Sequence, residues 1–576
     1  MNLLDWLVLL GTIVGIAAYG TWRTRHTDSL NTYLKGNHNT GWMTIGLSVM
    51  ATQASTITYL SLPGQAYENG IAFIQNYFGL PLALIIVCAV FLPIYRKLGV
   101  YTAYEYLGRR FDAKTRLLGA SLFLLQRGLQ AGITIYAPSI ILSTVLGWRL
   151  DLTILFTGLL VIVYTVTGGS AAVNLTQRWQ MAVIFGGMVT AFVVLLTKLP
   201  NDAVHIAGAL GKLRAVELTP DLKQRYTLWS GLLGGFFLSL SYFGTDQTQV
   251  QRYIGGAALR EGRLGLMFNA LFKIPMQFCI VMLGALLFVF YQFQPDTPVF
   301  FNQTEWRRHV DSREGPRFRA IEEKYAVAHA DKQIKIRAWT AARDRGESVA
   351  ETSARSAMLE AQRASEAIRK EARDTLRAVD PKAKTKDSDF VFITFILTQL
   401  PHGVIGLLIA VMFASALSSK AGELNALGTT STIDIWRHFR PLAADDELRN
   451  VHNAKWFTAL WGFFAIAFAL FVSFAENLIE ALNIVASIFY PALLGVFVVA
   501  FFLKKVGGSA VFWAAVASQV LVLALFFAGK FYPAHEIGYL WLNPIGCAAC
   551  VAFSLMFQAI IGTPARPPAG PANPTA

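Results

Sequence analysis

Thirteen apolar runs, each near the length that a bilayer demands, constrain this chain more than any other feature. They fall at 3–22, 43–66, 72–95, 116–146, 150–168, 178–198, 227–249, 264–292, 389–419, 454–474, 477–503, 508–529 and 537–561. A helix crosses the hydrocarbon in about 20 residues. Backbone in lipid must satisfy its own hydrogen bonds, which leaves helices as the spanning element for runs of this length. With 54% of its 576 residues hydrophobic, the chain reads as an all-α polytopic membrane protein with thirteen transmembrane helices. The lipid bilayer is its first partner.

Orientation follows from charge. Asp5 stands at the start of the first run and Arg23 and Arg25 follow it, the reverse of the charge order in a secretory signal. The run therefore reads as a retained first helix with its N-terminus outside. Alternating from there, the loops predicted to lie inside carry the excess of Lys and Arg, as inward-facing loops do. This predicts a multi-pass protein of the plasma (inner) membrane with a cytoplasmic C-terminus. The net charge of +14 then belongs to loops facing anionic lipid, and nucleic acid is not an expected partner. Cys88, Cys279, Cys547 and Cys550 all lie in apolar runs. The "CAAC" at 547–550 has the spacing of a metal or redox pair but no His or further Cys beside it, which favours helix packing.

One segment departs from this pattern. Residues 1–300 hold the first eight predicted helices and 390–562 the last five, and 563–576 reads as a disordered cytoplasmic tail. Between the two membrane blocks, 301–389 carries 20 basic and 16 acidic side chains. Opposite charges spaced four apart, such as Glu366 and Lys370, stabilise helices in water. The segment predicts one or two long helices outside the membrane, as a hairpin broken near Gly346. The interleaved charges favour a solvated surface over a basic patch; a lid, or a docking surface for a protein partner at 301–389, stays open.

Polar residues inside the spans carry the functional signal. In "GWMTIGLSVMATQASTITYLSLPGQAYENG" (41–70) the centre, Ala51 to Thr58, is small and hydroxyl-rich and contains Gln53. Such composition lets a helix unwind where its carbonyls line a cavity, as the broken helices of secondary transporters do; close packing of a Ser/Thr-rich helix is the plainer alternative. "SALSSKAGELNAL" (415–427) poses the same choice, because membrane serines commonly bond back to their own helix. Together the Ala51–Thr58 centre and the serines Ser418 and Ser419 could supply only neutral oxygens, a set that suits a monovalent cation better than a proton relay or a divalent ion. Lys420 and Glu423 follow the serines, where the sequence places the cytoplasmic border. Gln126, Arg127, Gln130, Asp246, Lys273 and Asn483 also fall within runs, and intramembrane charge is a functional candidate by default. For Asp246 a structural bond at its helix end is at least as good a reading.

Three stretches resemble one family. "GTDQTQVQRYIGG" (244–256), "SALSSKAGELNALGTTSTIDIW" (415–436) and "VYTAYEYLGRRF" (100–111) are similar to the TDQ-x-x-VQR, small-residue SS…T-x-D-I-W and T-x-x-EYL-x-x-RF stretches of the sodium:solute symporters. That resemblance implies the leucine-transporter-like five-plus-five inverted repeat, with one extra N-terminal and two extra C-terminal helices. The spans starting near 43 and 227 would be its broken helices. It implies a Na⁺ site from the carbonyls of Ala51, Ala54 and Ser415 and the hydroxyls of Ser418 and Ser419. It implies a solute pocket at Gln53, Thr58, Asn76, Tyr77, Gln130, Ser239, Tyr242 and Asn483. Lys273 is added because it falls about one residue from a pocket lysine of sugar-transporting relatives. Where many relatives carry an Asp linked to a second ion, this chain has Gln177, so one Na⁺ per solute is expected.

The expected function is Na⁺-coupled import of a small organic solute (a sugar, sugar acid or carboxylate) by alternating access, with Na⁺ as the bound ion. No phosphate-binding GxxxxGK[ST] loop is present, and no paired acid, metal cluster or nucleophile arrangement suggests an enzyme. The competing reading is a transporter-like solute sensor acting through a partner protein. The short tail after the last run argues against it, since such sensors carry a signalling domain there. A leak channel is the weaker third reading.

Overall fold

The computed structural model describes the backbone of residues 1–23, 41–53, 55–100, 102–254, 258–381, 383–440, 447–471 and 477–562, and their side chains except at 16–23, 167–179, 447–448 and 471. Among the described residues the chain is helical without strands. Among the described residues nine helical stretches are long and apolar enough to cross a membrane, and shorter apolar helices lie at Leu3–Gly15, Leu150–Val166, Ser230–Gly244 and Ser388–Gln399. This is a multi-pass helical membrane protein.

Ten helices position the site. They are α1 (Trp42–Gln53), α2 (Thr56–Asn69), α3 (Ala113–Leu146), α4 (Gly235–Gly244), α5 (Gln247–Ile254), α6 (Leu259–Phe293), α7 (Gly315–Asp344), α8 (Ser348–Val379), α9 (Val404–Thr430) and α10 (Leu478–Phe502).

Two chain breaks interrupt the bundle. Between α1 and α2, Ser55 is extended at φ −72°, ψ 173°, within the small hydroxyl-rich stretch whose composition predicted unwinding. Local hydroxyls take up the slack: Thr52 Oγ1 donates to the Ser48 carbonyl at 2.8 Å and Thr58 Oγ1 to the Gln53 carbonyl at 3.2 Å. The second break falls at Thr245, between α4 and α5. There, buried tyrosines satisfy the freed carbonyls. Tyr95 donates to Gly244 at 2.7 Å, Tyr104 to Thr245 at 2.9 Å and Tyr253 to Phe243 at 2.8 Å. An unpaired carbonyl at this depth costs several kcal/mol, so these hydroxyls are what make the break stable.

The run at 389–419 is not one span. It parts at Pro401–Gly403, where Gly403 has φ +85°, a conformation open mainly to glycine. Proline cannot donate into the preceding turn, so a new helix, α9, starts at Val404 and passes the serines without ending. The expected cytoplasmic border at Lys420 is therefore corrected: Lys420 and Glu423 lie inside α9, each only 5% exposed. Sequence alone placed them at an edge because a buried charge is costly without a partner, and their partners come from elsewhere in the fold.

Residues 303–379 form three helices, Gln303–Val310, α7 and α8. The last two join as a hairpin at Gly346, φ +70°. The hairpin has its own apolar core of Trp306, Phe318, Ile321, Tyr325, Ile368 and Leu376. Ile336, Trp339 and Met358 instead join the main core of the bundle, so the hairpin is seated on it. Its end of the bundle is called the hairpin end below.

Candidate functional site

The first break faces the middle of α9. Ser419 Oγ lies 3.5 Å from the Ala51 carbonyl, and Ser418 Oγ donates to the Ser415 carbonyl at 3.1 Å. Thr56 Oγ1 fastens the start of α2 to the Met412 carbonyl at 2.5 Å. Four of the five residues expected at the ion site thus meet in one neighbourhood; the fifth, Ala54, lies outside the described residues. Every oxygen among the four is neutral, a donor set that suits a monovalent cation. Ser418 also donates to Gln180 Oε1 at 2.8 Å, which the sequence reading had not assigned. The signal was present as the last residue of "TQRWQ", the stretch that holds Gln177. The side chain of Gln177 lies outside the described ones.

Beside this neighbourhood is a cavity with about 150 Å³ of room for water-sized centres. One water needs roughly 10–15 Å³ on that measure, so the space admits a small solute. All nine residues expected at the solute pocket line it: Gln53 and Thr58 flank the break, Asn76 and Tyr77 follow α2, and Gln130 comes from α3. Ser239 and Tyr242 come from α4, Lys273 from α6 and Asn483 from α10. Ser419, Lys420 and Glu423 of α9 complete one wall, so the ion neighbourhood and the cavity share a side chain. Gln126 is buried outside this lining, with neither amide atom bonded among the described residues.

The charges of this wall divide sharply. The Arg127 guanidinium bonds Asp246, reaches Glu423 Oε1 at 3.1 Å and donates to Tyr490 at 3.0 Å. Tyr490 in turn donates to Asp246 at 2.6 Å, and Thr248 Oγ1 does so at 2.5 Å. Glu423 also holds Lys420 and accepts from Thr134 at 3.2 Å. Two cations and two carboxylates from α3, α5's approach and α9 therefore neutralise one another. Asp246 belongs to this network and not to the cavity lining.

Lys273 stands apart. It is 1% exposed, and among the described residues it has no ion-pair or hydrogen-bond partner. Its ammonium lies 5.7 Å from the centre of the Tyr77 ring, a contact worth far less than the water it has lost. Three more buried atoms of the lining have no hydrogen-bond partner among the described residues: Gln53 Oε1, Asn76 Oδ1 and Arg127 Nε. Buried polar atoms are nearly always bonded, so a cavity bordered by these groups is built for a polar occupant.

Bonded clusters lie toward each end of the bundle. At the hairpin end, Gln65 of α2 donates to Glu480 of α10 at 3.0 Å, and Tyr226 donates to the same carboxylate at 2.5 Å. Ser61 and Asn477 both donate to Asp389, at 2.5 and 2.7 Å. At the opposite end Arg252 donates to Ser48 at 2.7 Å, and Arg116 and Thr102 hold Asp434 at 2.7 and 3.0 Å.

A helical bundle with two broken helices, a neutral-oxygen neighbourhood at one break and a polar cavity beside it defines a transporter-type membrane protein. The sodium:solute symporter family matches residues 33–296 and 375–517, and the chain belongs to that family. The unmatched 297–374 contains most of the hairpin. The chain is 31% identical over 284 residues to the human (Homo sapiens) sodium/iodide cotransporter, covering 49% of this chain and 43% of that one. It is 31% identical over 289 residues to the human sodium-coupled monocarboxylate transporter 1, covering 49% and 47%. The chain thus spans less than half the length of these curated relatives. A solved structure of a substrate-bound, outward-open Na⁺-coupled sialic acid symporter superposes with a TM-score of 0.72, covering 98% of this chain and 99% of that one at 21% identity. That likeness is one of fold.

Proposed function

We propose that this protein is a Na⁺-coupled symporter that imports a small anionic or heavily hydroxylated solute by alternating access. The observation that carries the reading is the buried Lys273, without an ion pair among the described residues, in a cavity sharing Ser419 with the neutral-oxygen neighbourhood at the first break. Na⁺ sits among the carbonyls of Ala51, Ala54 and Ser415 and the hydroxyls of Ser418 and Ser419, joining the broken helix to α9. The ion thereby fixes Gln53 and Thr58 in place for the solute, and solute and ion raise each other's affinity by the same factor. Arg127 takes no part as a counter-ion, since Asp246 and Glu423 already neutralise it. A sugar, sugar acid or short carboxylate fits the remaining chemistry.

The reading includes a thirteen-helix, five-plus-five repeat in the plasma membrane, with the N-terminus outside, the C-terminus in the cytoplasm and the hairpin on the outer face. In that orientation the Glu480 and Asp389 clusters form the outer gate, and Arg252 and Asp434 mark the inner one. With Gln177 replacing an acid, one Na⁺ accompanies each solute. Proteoliposome uptake tests the proposal: solute entry should require an inward Na⁺ gradient, with a Na⁺-to-solute flux ratio near one. A ratio near two would contradict the single ion, and gradient-independent uptake would contradict symport.

A further inference from the structure

A second cavity, with about 350 Å³ of room for water-sized centres, lies where the hairpin meets the bundle, separate from the first in every lining residue. Helices α7 and α8 contribute Lys332, Ser365, Glu366, Arg369 and Arg373; α2 contributes Glu68; and Lys212 and Lys386 come from the adjoining loops. Basic groups outnumber acidic ones in this wall by five to two. Arg369 is compensated by Asp387, with contacts of 3.2 and 3.3 Å.

Two of the three lysines, Lys332 and Lys212, are not compensated in that way. Lys332 is 3% exposed, and its ammonium donates to the neutral Ser365 hydroxyl at 3.1 Å. Lys212 is 8% exposed, and its ammonium donates to the Glu68 carbonyl oxygen at 2.5 Å while lying 4.2 Å from the centre of the Phe288 ring. Among the described residues neither forms an ion pair, although Glu366 offsets part of the charge of both and Glu68 part of that of Lys212. Bringing two ammonium groups out of water beside Arg369 and Arg373 is costly unless negative charge joins them.

We propose that this cavity binds a small oxyanion of the sulfate or phosphate type, held by Lys212, Lys332 and Arg373 and bridging the hairpin to α2. Arginine and lysine are the usual cradle for such groups, and the 350 Å³ exceeds what a single oxyanion needs, leaving space for its water. The occupant supplies the charge that the fold leaves out, and it joins an extramembrane element to the helix that ends one half of the first break.

Protonation should control it. Burial, with Arg369 nearby, pushes the Lys332 ammonium down to about 7, and burial pushes Lys212 to about 8. The other charged or titratable groups facing them are Glu68, Glu366, Arg369, Arg373, Lys386, Tyr67 and Tyr325, with Asp387 behind Arg369 and His329 one turn away on α7. His329 is pushed down to about 4 and stays neutral above pH 6. Sulfate keeps its charge across pH 6–9, so any change in its binding there reports on the lysines.

The test is saturable binding of radiolabelled sulfate to the full-length protein in detergent at low ionic strength. One site per chain is expected, with affinity roughly tenfold or more higher at pH 6 than at pH 9 and competition by inorganic phosphate. Lys332→Met should weaken binding roughly tenfold or more. Lys335→Met, which removes the same charge from an exposed ion pair with Asp331 on the same helix, should leave it unchanged. If Lys332→Met does not yield folded protein, Arg373→Gln serves instead. Nanodiscs of zwitterionic and of anionic lipid separate the sources, because a lipid headgroup in the cavity would block sulfate only when anionic lipid is present. Absence of saturable binding to the wild type, or equal weakening by Lys335→Met, would overturn the proposal.

Discussion

At the scale of single residues, four buried polar side chains carry distinct and separable expectations. Removing either Ser418 or Ser419 as Ala takes one neutral oxygen from the proposed cation site, an expected loss of about 1.5–3 kcal/mol for a bond to a charge. The Na⁺ concentration for half-maximal stabilisation should rise at least roughly tenfold in each variant while the amount of protein in the membrane stays the same; unchanged Na⁺ activation in the double variant would refute the assignment. Lys273→Met removes an uncompensated buried cation and fills the same volume with an apolar chain. It should raise the melting temperature without solute and abolish stabilisation by solute. A lower melting temperature would mean that Lys273 has a structural partner. Arg127→Ala goes the other way, because it strands Asp246 and Glu423. Its expected cost is about 3–5 kcal/mol, read as loss of folded, monodisperse protein. In the sequence these two cations looked alike. Their difference lies in partners 119 and 296 residues from Arg127, which no local pattern encodes.

At the scale of elements, close approach sets the limits. The helix α2 passes so near the chain at Ser388 that a Cβ on Gly64 would stand 1.9 Å from the Ser388 carbonyl oxygen. Gly64→Ala must push α2 off the Asp389 cluster, at a cost of about 1–3 kcal/mol or more, and should lower the melting temperature by several degrees; an unchanged value would contradict the packing. In the hairpin, His329 (pushed down to about 4) and Lys332 (pushed down to about 7) both bind protons more weakly folded than unfolded. Stability from these groups therefore rises with pH, between about 4 and 6.5 for the histidine and between about 7 and 10.5 for the lysine. Thermal unfolding without sulfate should show the wild type losing more stability than His329→Phe as pH falls from 6.5 to 4. Parallel curves would remove His329 from the account. The first break was legible because Ser and Thr hydroxyls compete for backbone hydrogen bonds and small side chains leave room for an unwound segment. The hairpin's turn was legible because Gly346 interrupts a long run of helix formers. The split at Pro401 was missed, since apolar composition continues across it and hides the change of helix.

At the scale of the whole molecule, the nine solute-pocket residues were named from stretches between 53 and 483 and converge on one cavity. The motifs made that convergence readable, because they fix which helices face one another. They did not reveal the burial of Lys420 and Glu423, which depends on a charge network assembled from α3, α9 and the second break. The central claim is that Na⁺ and solute occupy adjoining sites across the first break. Its most direct measurement is thermal stabilisation of the purified protein by a panel of sugars, sugar acids and short carboxylates, in Na⁺ and in K⁺. The account predicts at least one solute that stabilises in Na⁺ only, with the effect lost in the Ser418→Ala, Ser419→Ala double variant. Stabilisation that is equal in K⁺, or that persists in that variant, would contradict it.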